Sequence, residues 1–278
     1  MNKIIICADD FAQNDAISHG IIKLIENNRL SATSCMTNLE SWPEHSLLLK
    51  KITTIDMGVH LNFTHGKPLS KALQKQFKSW PNSILSIIKL IISKQLTLTK
   101  LENEIELQLN NFEKYINKIP DFIDGHQHLH HFPVIRQALL KVYLKKYGML
   151  DQSQKPYIRI SSCNAKINEQ FCLKKKIIQL TGSEKLQKQL IKHQIPFNQN
   201  FAGIYPFNKK YSFDEICSKI LEHTKNTTLL MCHPAFKSND ASDPIAYFRY
   251  KELEYLISDK FKQLLIKNNI QIARFKKS

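Results

Sequence analysis

Four times in this chain a short apolar run ends in a residue of the kind that holds metals or moves protons. Residues 3–8 run into Asp9-Asp10, and residues 55–59 into His60. Phe122 and Ile123 lead to Asp124-Gly125-His126, and residues 228–232 to His233. Between these runs lie apolar residues at helical spacing. Ile17, Ile21, Leu24 and Ile25 mark a helix over about 15–28, and Leu101, Ile105, Leu109, Phe112 and Ile116 another over 99–117. A near-continuous apolar run of this length reads as a strand buried on both faces. Strand alternating with helix then means a parallel sheet, whose polar residues collect at the strands' C-terminal ends. The pattern predicts an α/β, barrel-like fold in which Asp9, Asp10, His60, His126, Arg159 and His233 share one pocket.

The remaining elements follow the same alternation. Short strands are expected at 34–36, 157–160, 201–205 and 270–275. Helices are expected at 42–51, from Pro133 to about 147, and over 168–179, 183–193, 212–223 and 248–268. Thr99 with Glu102 has the spacing of a capping box. At 278 residues the chain suits one α/β barrel, which needs about 250. No repeat, low-complexity linker or composition shift marks a boundary, so 1–278 is expected to be a single catalytic domain. Residues 70–98, with Trp80-Pro81 and then the apolar run 84–92, stand outside the alternation and are expected to form a lid or insertion over the site.

The stretch from Asp124 to His131 holds four of the eleven histidines. Imidazoles grouped beside a carboxylate at a strand's end are the material of a divalent metal site, against the alternative of a solvated polar loop. Asp9 and Asp10 repel each other and stay ionised only with a cation or hydrogen-bond donors nearby; otherwise they belong to a solvated turn with Asp capping a helix. His60 alone would read as a core or loop histidine. It is the repetition of strand, then ligand-type residue, that points to a site.

The net charge of +16 invites a nucleic-acid or anionic-surface reading. The lysines are dispersed over helix faces, however, and the densest runs (174–176 and 276–277) are short, so no nucleic-acid partner is expected. No apolar run reaches the roughly 18 residues of a membrane span, and the N-terminal apolar run is too short for a signal-peptide core. A cytoplasmic enzyme is the expectation. The six cysteines form no Cys-x-x-Cys pair and read as buried reduced thiols. Neither a Gly-x-Gly-x-x-Gly nor a Walker-type loop is present, which leaves a metal-dependent hydrolase as the reading of the residues.

Four segments carry a more specific likeness. Ala8-Asp9-Asp10-Phe11, Gly58-Val59-His60-Leu61-Asn62, Asp124-Gly125-His126-Gln127-His128 and Cys232-His233-Pro234-Ala235-Phe236 resemble, in order and spacing, the motifs of the YdjC-like carbohydrate deacetylases. That family includes chitooligosaccharide deacetylase and the hopanoid-associated deacetylases. The resemblance covers nearly the whole chain and implies a distorted (β/α) barrel, TIM-like and related to the polysaccharide deacetylases, often homodimeric. It implies one divalent metal ion, magnesium or zinc, on Asp10, His60 and His126, with Asp9 as base and His233 as acid. Two imidazole ligands favour zinc or another transition metal. Arg159, Asn62 and His128 would lie on the substrate side, Arg159 alternatively orienting Asp9, and His130 would stand behind the ligands or face substrate. The implied reaction removes an acetyl group from an N-acetylated sugar, oligosaccharide or glycolipid by attack of water. Two positions depart from the family pattern: Ala12 replaces a usual glycine, and Arg159-Ile160-Ser161 replaces Arg-x-Pro. The competing readings are another metal hydrolase such as a phosphoesterase, and a non-catalytic carbohydrate-binding relative.

Overall fold

The computed structural model describes residues 1–162, 182–224 and 228–275. Its frame is a parallel sheet of β1 (Asn2–Phe11), β2 (Ala32–Cys35), β3 (Asp56–Leu61), β4 (Phe122–Gly125), β5 (Tyr157–Ile158), β6 (Asn200–Ala202) and β7 (Thr228–Cys232). A last short strand, β8 (Ile270–Ile272), pairs with the start of β1. The strands lie in the order β5-β4-β3-β2-β1-β7-β6. Taken as a ring, this is simply chain order, and the two ends meet where Ile158 bridges Phe197. The join is a backbone bridge, with the Ile158 N–H bonded to the Pro196 carbonyl at 2.9 Å, reinforced by one side chain. Asn198 accepts from the Ile160 N–H at 2.7 Å and donates to the Ile160 carbonyl at 2.9 Å and the Asn200 carbonyl at 3.1 Å. The sheet is therefore a distorted barrel, closed at its seam by a single bridge and a side chain instead of a continuous ladder.

Why these residues make these strands is visible in β1. Its isoleucines suit a pleated surface covered on both sides, and every residue from Ile4 to Phe11 is buried. Helix α1 (Asp15–Glu26) is capped by Asn14, whose side chain accepts from the Ile17 N–H, and it buries Ile17, Ile21, Leu24 and Ile25. Helix α2 (Trp42–Leu49) sets Trp42 in a stack on Phe112 of α5 (Leu98–Ile116), ring centroids 5.9 Å apart. The five apolar residues of α5 expected to face the core are all buried. Truncating one of them to alanine costs about 2–5 kcal/mol. The same helix carries two buried polar residues. Gln108 pairs with both the N–H and the carbonyl of Asn62, and Glu104 accepts from the N–H groups of Leu69 and Ser70. Helix α5 thus holds the loop that leaves β3.

Several expectations shift. Helix α5 begins one residue before the position read from sequence and is capped by Thr97, which accepts from the Lys100 N–H; the Thr99–Glu102 capping box does not form. The single helix expected over 248–268 is two, Ala246–Ile257 and Asp259–Lys267, because Ser258 ends the first and caps the second by accepting from Phe261. Strands β5, β6 and β8 are shorter than read. The helix expected over 168–179 lies outside the described residues, as do Cys163 and Cys172, while Cys7, Cys35, Cys217 and Cys232 are buried free thiols. Residues 70–98 form α3 (Lys71–Gln76) and α4 (Ile84–Ile92), pinned to the body by buried Leu73, Trp80, Ile87 and Leu96. No described helix is long and apolar enough to cross a membrane.

Candidate metal centre and its cavity

Consecutive residues of a strand point to opposite faces, so Asp9 and Asp10 should not share a site. They do because the strand breaks its own rule. The β1–β2 register shifts between Ala8 and Phe11, and Asp10 takes a left-handed conformation with φ 68°. Ala12, at φ 73°, repeats that turn. A glycine would adopt this geometry freely; an alanine is held in it, its N–H given to the Ser18 hydroxyl and its carbonyl to Ser41. The result places both carboxylates at the barrel's C-terminal end.

Asp10 divides its two oxygens. Oδ2 receives Arg249 Nη2 at 2.7 Å, and Oδ1 faces His126 Nδ1 at 2.9 Å and His60 Nε2 at 3.3 Å. The ligand atoms of Asp10, His60 and His126 lie within 4.8 Å of one another. Around a tetrahedral ion with bonds near 2.0–2.1 Å, neighbouring ligand atoms are about 3.3 Å apart, so this N,N,O set fits a divalent ion. The far nitrogen of His60, Nδ1, sits 2.6 Å from Asp124 Oδ1, which also accepts from the Ser34 hydroxyl at 2.6 Å. A carboxylate behind an imidazole fixes the ring and leaves its other nitrogen to face the site.

The electrostatics point the same way. Burial would raise Asp10, but Arg249 and His126 overcome it and hold its carboxyl well below the usual range. Burial would lower His60, yet Asp124, Asp9 and Asp10 together push it up to about 10. Four carboxylates, Asp9, Asp10, Asp124 and Asp243, are in contact here with two guanidinium groups, Arg159 and Arg249. Ligation deprotonates His60, and with neutral imidazoles these groups leave two negative charges unbalanced, the deficit one divalent cation fills.

Asp9 is placed differently. Arg159 holds both its oxygens, Nη1 to Oδ1 at 2.6 Å and Nη2 to Oδ2 at 2.7 Å, and Nη1 also reaches Asp124 Oδ2 at 2.9 Å. Asp9 Oδ2 is 4.0 Å from His60 Nε2, at the edge of the ligand cluster. Arg159 is fully buried and does not border the cavity. Of the two expected roles, its contacts to Asp9 and Asp124 match the arrangement in which it orients Asp9. Asn62 does not border the cavity either. It is buried, its amide spent on Asn38 and the His65 carbonyl and its oxygen on the Thr64 and His65 N–H groups, an Asx turn that shapes the loop after β3.

The His-rich segment folds into a tight turn, His126–His131, in which Gln127 and His128 are left-handed. This turn splits the histidines. His126 and His128 border the cavity, His128 with its Nδ1 3.0 Å from the Ser161 hydroxyl. His130 and His131 turn inward and are buried; His130 Nε2 meets the Arg159 carbonyl at 2.8 Å, so it stands behind the site and braces β5.

The cavity over this cluster measures about 820 Å³. Its floor is Asp9, Asp10, His60, His126 and His233. Its apolar lining comes from Ile204, Tyr205, Phe207 and Met231 and from Ile84, Leu85 and Ile88 of α4. Burial pushes His233 down to about 4, against the pull of Asp10 and Asp9, so its imidazole is neutral at rest. Its backbone N–H is tied to Glu252, which also receives the Tyr205 hydroxyl. Sequence reasoning did not place Arg249, Asp243 or Glu252 in the site, since all three come from a loop and helix with no motif of their own. His65, in the loop after His60, also borders the cavity, its ring 5.0 Å from that of His126.

With this geometry in view, comparison with known proteins is informative. The chain is 26% identical over 281 residues to a carbohydrate deacetylase of Clostridium beijerinckii, covering 99% of both chains. It is 25% identical over 264 residues to a chitooligosaccharide deacetylase of Yersinia enterocolitica, covering 94% of this chain and 92% of that one. Among solved structures, an Enterococcus faecalis protein proposed to cleave cellobiose-phosphate superposes with TM-score 0.71 at 21% identity, over 99% of this chain and 98% of its own. A peptidoglycan N-acetylglucosamine deacetylase matches with TM-score 0.52 at 10% identity, over 99% of this chain and 86% of its own, a likeness of fold alone. The model of the family described as YdjC-like protein matches residues 3–267, and the chain belongs to that family.

Proposed function

We propose that this protein is a carbohydrate N-deacetylase that removes an acetyl group from an N-acetylated sugar by metal-assisted hydrolysis. The observation that carries the reading is the convergence of Asp10, His60 and His126 at the floor of a cavity, with a second, differently held carboxylate beside them. The relatives named carbohydrate and chitooligosaccharide deacetylase supply the substrate class. A divalent ion on these three residues, zinc or magnesium, supplies Lewis acidity toward the acetyl carbonyl and toward water.

The chain's own residues do the rest. Asp9 is the base: it lies at the edge of the ligand cluster, and Arg159 grips both its oxygens, which fixes its direction without occupying the cavity. Proton removal by a positioned base is worth about 10²–10⁴ in rate. An amine leaves only when protonated, and the proton Asp9 takes from water is the one available. His233, neutral at rest on the cavity floor, accepts it and passes it to the departing nitrogen as the C–N bond breaks. Asp124 and Ser34 keep His60 oriented, and Arg249 with Asp243 keeps Asp10 oriented. His128 borders the space where the sugar ring would lie.

A phosphoesterase reading fits less well. Among the described residues bordering the cavity, Arg249 is the one permanent cation, and its charge is taken up by Asp10 and Asp243. No described lysine borders it, so the excess positive charge of the chain is not focused on the site. The test is acetate release from N-acetylated chitooligosaccharides beside phosphate release from sugar phosphates, with chelated and re-metallated protein. Equimolar acetate and free amine, lost on chelation and restored by one divalent ion, is the expected result. Phosphate release without acetate would overturn the reading.

A further inference from the structure

Helix α4 carries a band of apolar residues that begins in the core and ends in solvent. Ile87 is buried, and Ile84, Ile88 and Ile91 are half-buried. Leu85 borders the cavity yet is 71% exposed, and Ile92 is 74% exposed. Residues 85, 88 and 92 share one helical face, so the cavity's apolar wall runs without interruption onto the protein's outer surface.

The charge around this band is one-sided. The chain has 24 acidic residues, yet residues 57–101 contain none and hold seven lysines, at 67, 71, 75, 78, 89, 94 and 100. Among the described residues, Lys67 alone of these seven forms an ion pair, with Glu40. Lys71, Lys75, Lys78, Lys89 and Lys94 are exposed. Lys89 stands four residues after Leu85 and three before Ile92, on the flank of the exposed apolar face.

The geometry points to α4 and its lysines as a docking surface for an anionic lipid bilayer, with the mouth of the cavity held at the headgroup level. Apolar side chains enter the interface while flanking lysines meet anionic headgroups, the combination that binds helices in the plane of a membrane. A second copy of the chain is the poorer occupant. A two-fold interface sets the same patch against itself, and here that would oppose lysine with lysine and offer no acid to either. The consequence for substrate rests on the deacetylase reading: the acetylated sugar would be presented by the bilayer surface.

Sedimentation with vesicles tests the docking without requiring turnover, so its failure and that of the deacetylase reading are separate results. The full chain is mixed with vesicles of phosphatidylglycerol and phosphatidylcholine in equal parts, and with pure phosphatidylcholine. We expect binding to the first, weakened by salt, and at least tenfold weaker binding to the second. Lys89→Gln with Lys94→Gln should lower partitioning about 30-fold, at about tenfold per 1.4 kcal/mol and one lysine's worth each. Ile92→Ser should lower it several-fold. None of these three residues borders the cavity, so melting temperature and turnover of a soluble N-acetylated oligosaccharide should stay unchanged. Failure to sediment with either vesicle, equal sedimentation with both, or binding indifferent to the variants would overturn the proposal. So would a dimer that Ile92→Ser dissociates, since a second copy would then cover the face.

Discussion

Two acidic clusters sit at the same end of the barrel, one residue apart on β1, and the chain treats them in opposite ways. Asp9, with Asp124 and Cys7 at its back, surrounds a cation of the chain's own, the Arg159 guanidinium. Asp10, His60 and His126 surround a point to which the chain brings no guanidinium, Arg249 touching only the far oxygen of Asp10. Both clusters have the ligand types and spacing of a metal site. What separates them is whether the fold supplies the positive charge itself. Ligand geometry alone therefore overcounts metal sites, and the charge balance decides between them. Glu252 is a third case. It is a buried carboxylate facing a hydroxyl and a backbone N–H, and burial pushes it up to about 7. There a proton serves where an arginine or a metal serves elsewhere.

The largest effect should come from taking away the internal cation. Arg159→Met leaves Asp9 and Asp124 buried without a partner, and breaking a buried ion pair from one side costs about 3–5 kcal/mol. Urea denaturation at neutral pH measures it. Should Arg159→Met lose less than about 1 kcal/mol, the guanidinium is not what balances the first cluster. The second test compares the two aspartates directly. Asp9→Asn should keep bound metal and lose about 10²–10⁴ of deacetylation rate. Asp10→Asn should lose the metal and, with it, the stabilisation that binding gives, about 2.7 kcal/mol at an ion concentration one hundred times the dissociation constant. Metal content measured beside turnover separates the roles; the reverse pattern would exchange base and ligand. The smallest effect concerns Glu252. Between about 4.5 and 7 the folded chain holds a proton on this group that the unfolded chain has released. Stability therefore falls as pH rises through that window, by an amount on the order of 2 kcal/mol. Glu252→Gln should flatten that slope in melting curves taken across the window, and an unchanged slope would assign it to another group.

The parts of this arrangement that the sequence displays are those written in consecutive residues. Apolar runs ending in Asp10, His60, His126 and His233 showed both the parallel sheet and the end of it at which these residues gather, because the strands of a parallel sheet all finish at one end. Asp9 was visible for the same reason. What stayed hidden depends on side chains arriving from elsewhere. Arg249 and Glu252 lie on a helix whose apolar period is weak, and only its packing beside α1 and its hydrogen bonds to residues 233 and 235 bring them to Asp10 and His233. The burial of Arg159 and Asn62 was illegible because a polar residue after a strand looks the same whether it faces the cavity or the core. The cap of α5 was misread since two threonines, 97 and 99, both offer a hydroxyl, and a glutamate three residues past the second mimics a capping box. At Ser258 the apolar spacing carries across the break, so periodicity ran two helices together.

The seam of the barrel gives one residue an influence out of proportion to its chemistry. A hoop is only as firm as its fastening, and here the fastening is one backbone bridge and the carboxamide of Asn198 on the backbone of Ile160. The residue before Ile160 is Arg159, the clamp on Asp9. Slack at that join would travel one peptide unit before reaching the clamp that orients the Asp9 carboxylate. On the proposed role of Asp9, an asparagine that does not border the cavity would belong, mechanically, to the machinery of proton transfer, and its loss would register as an imprecise catalyst before it registered as an unfolded protein.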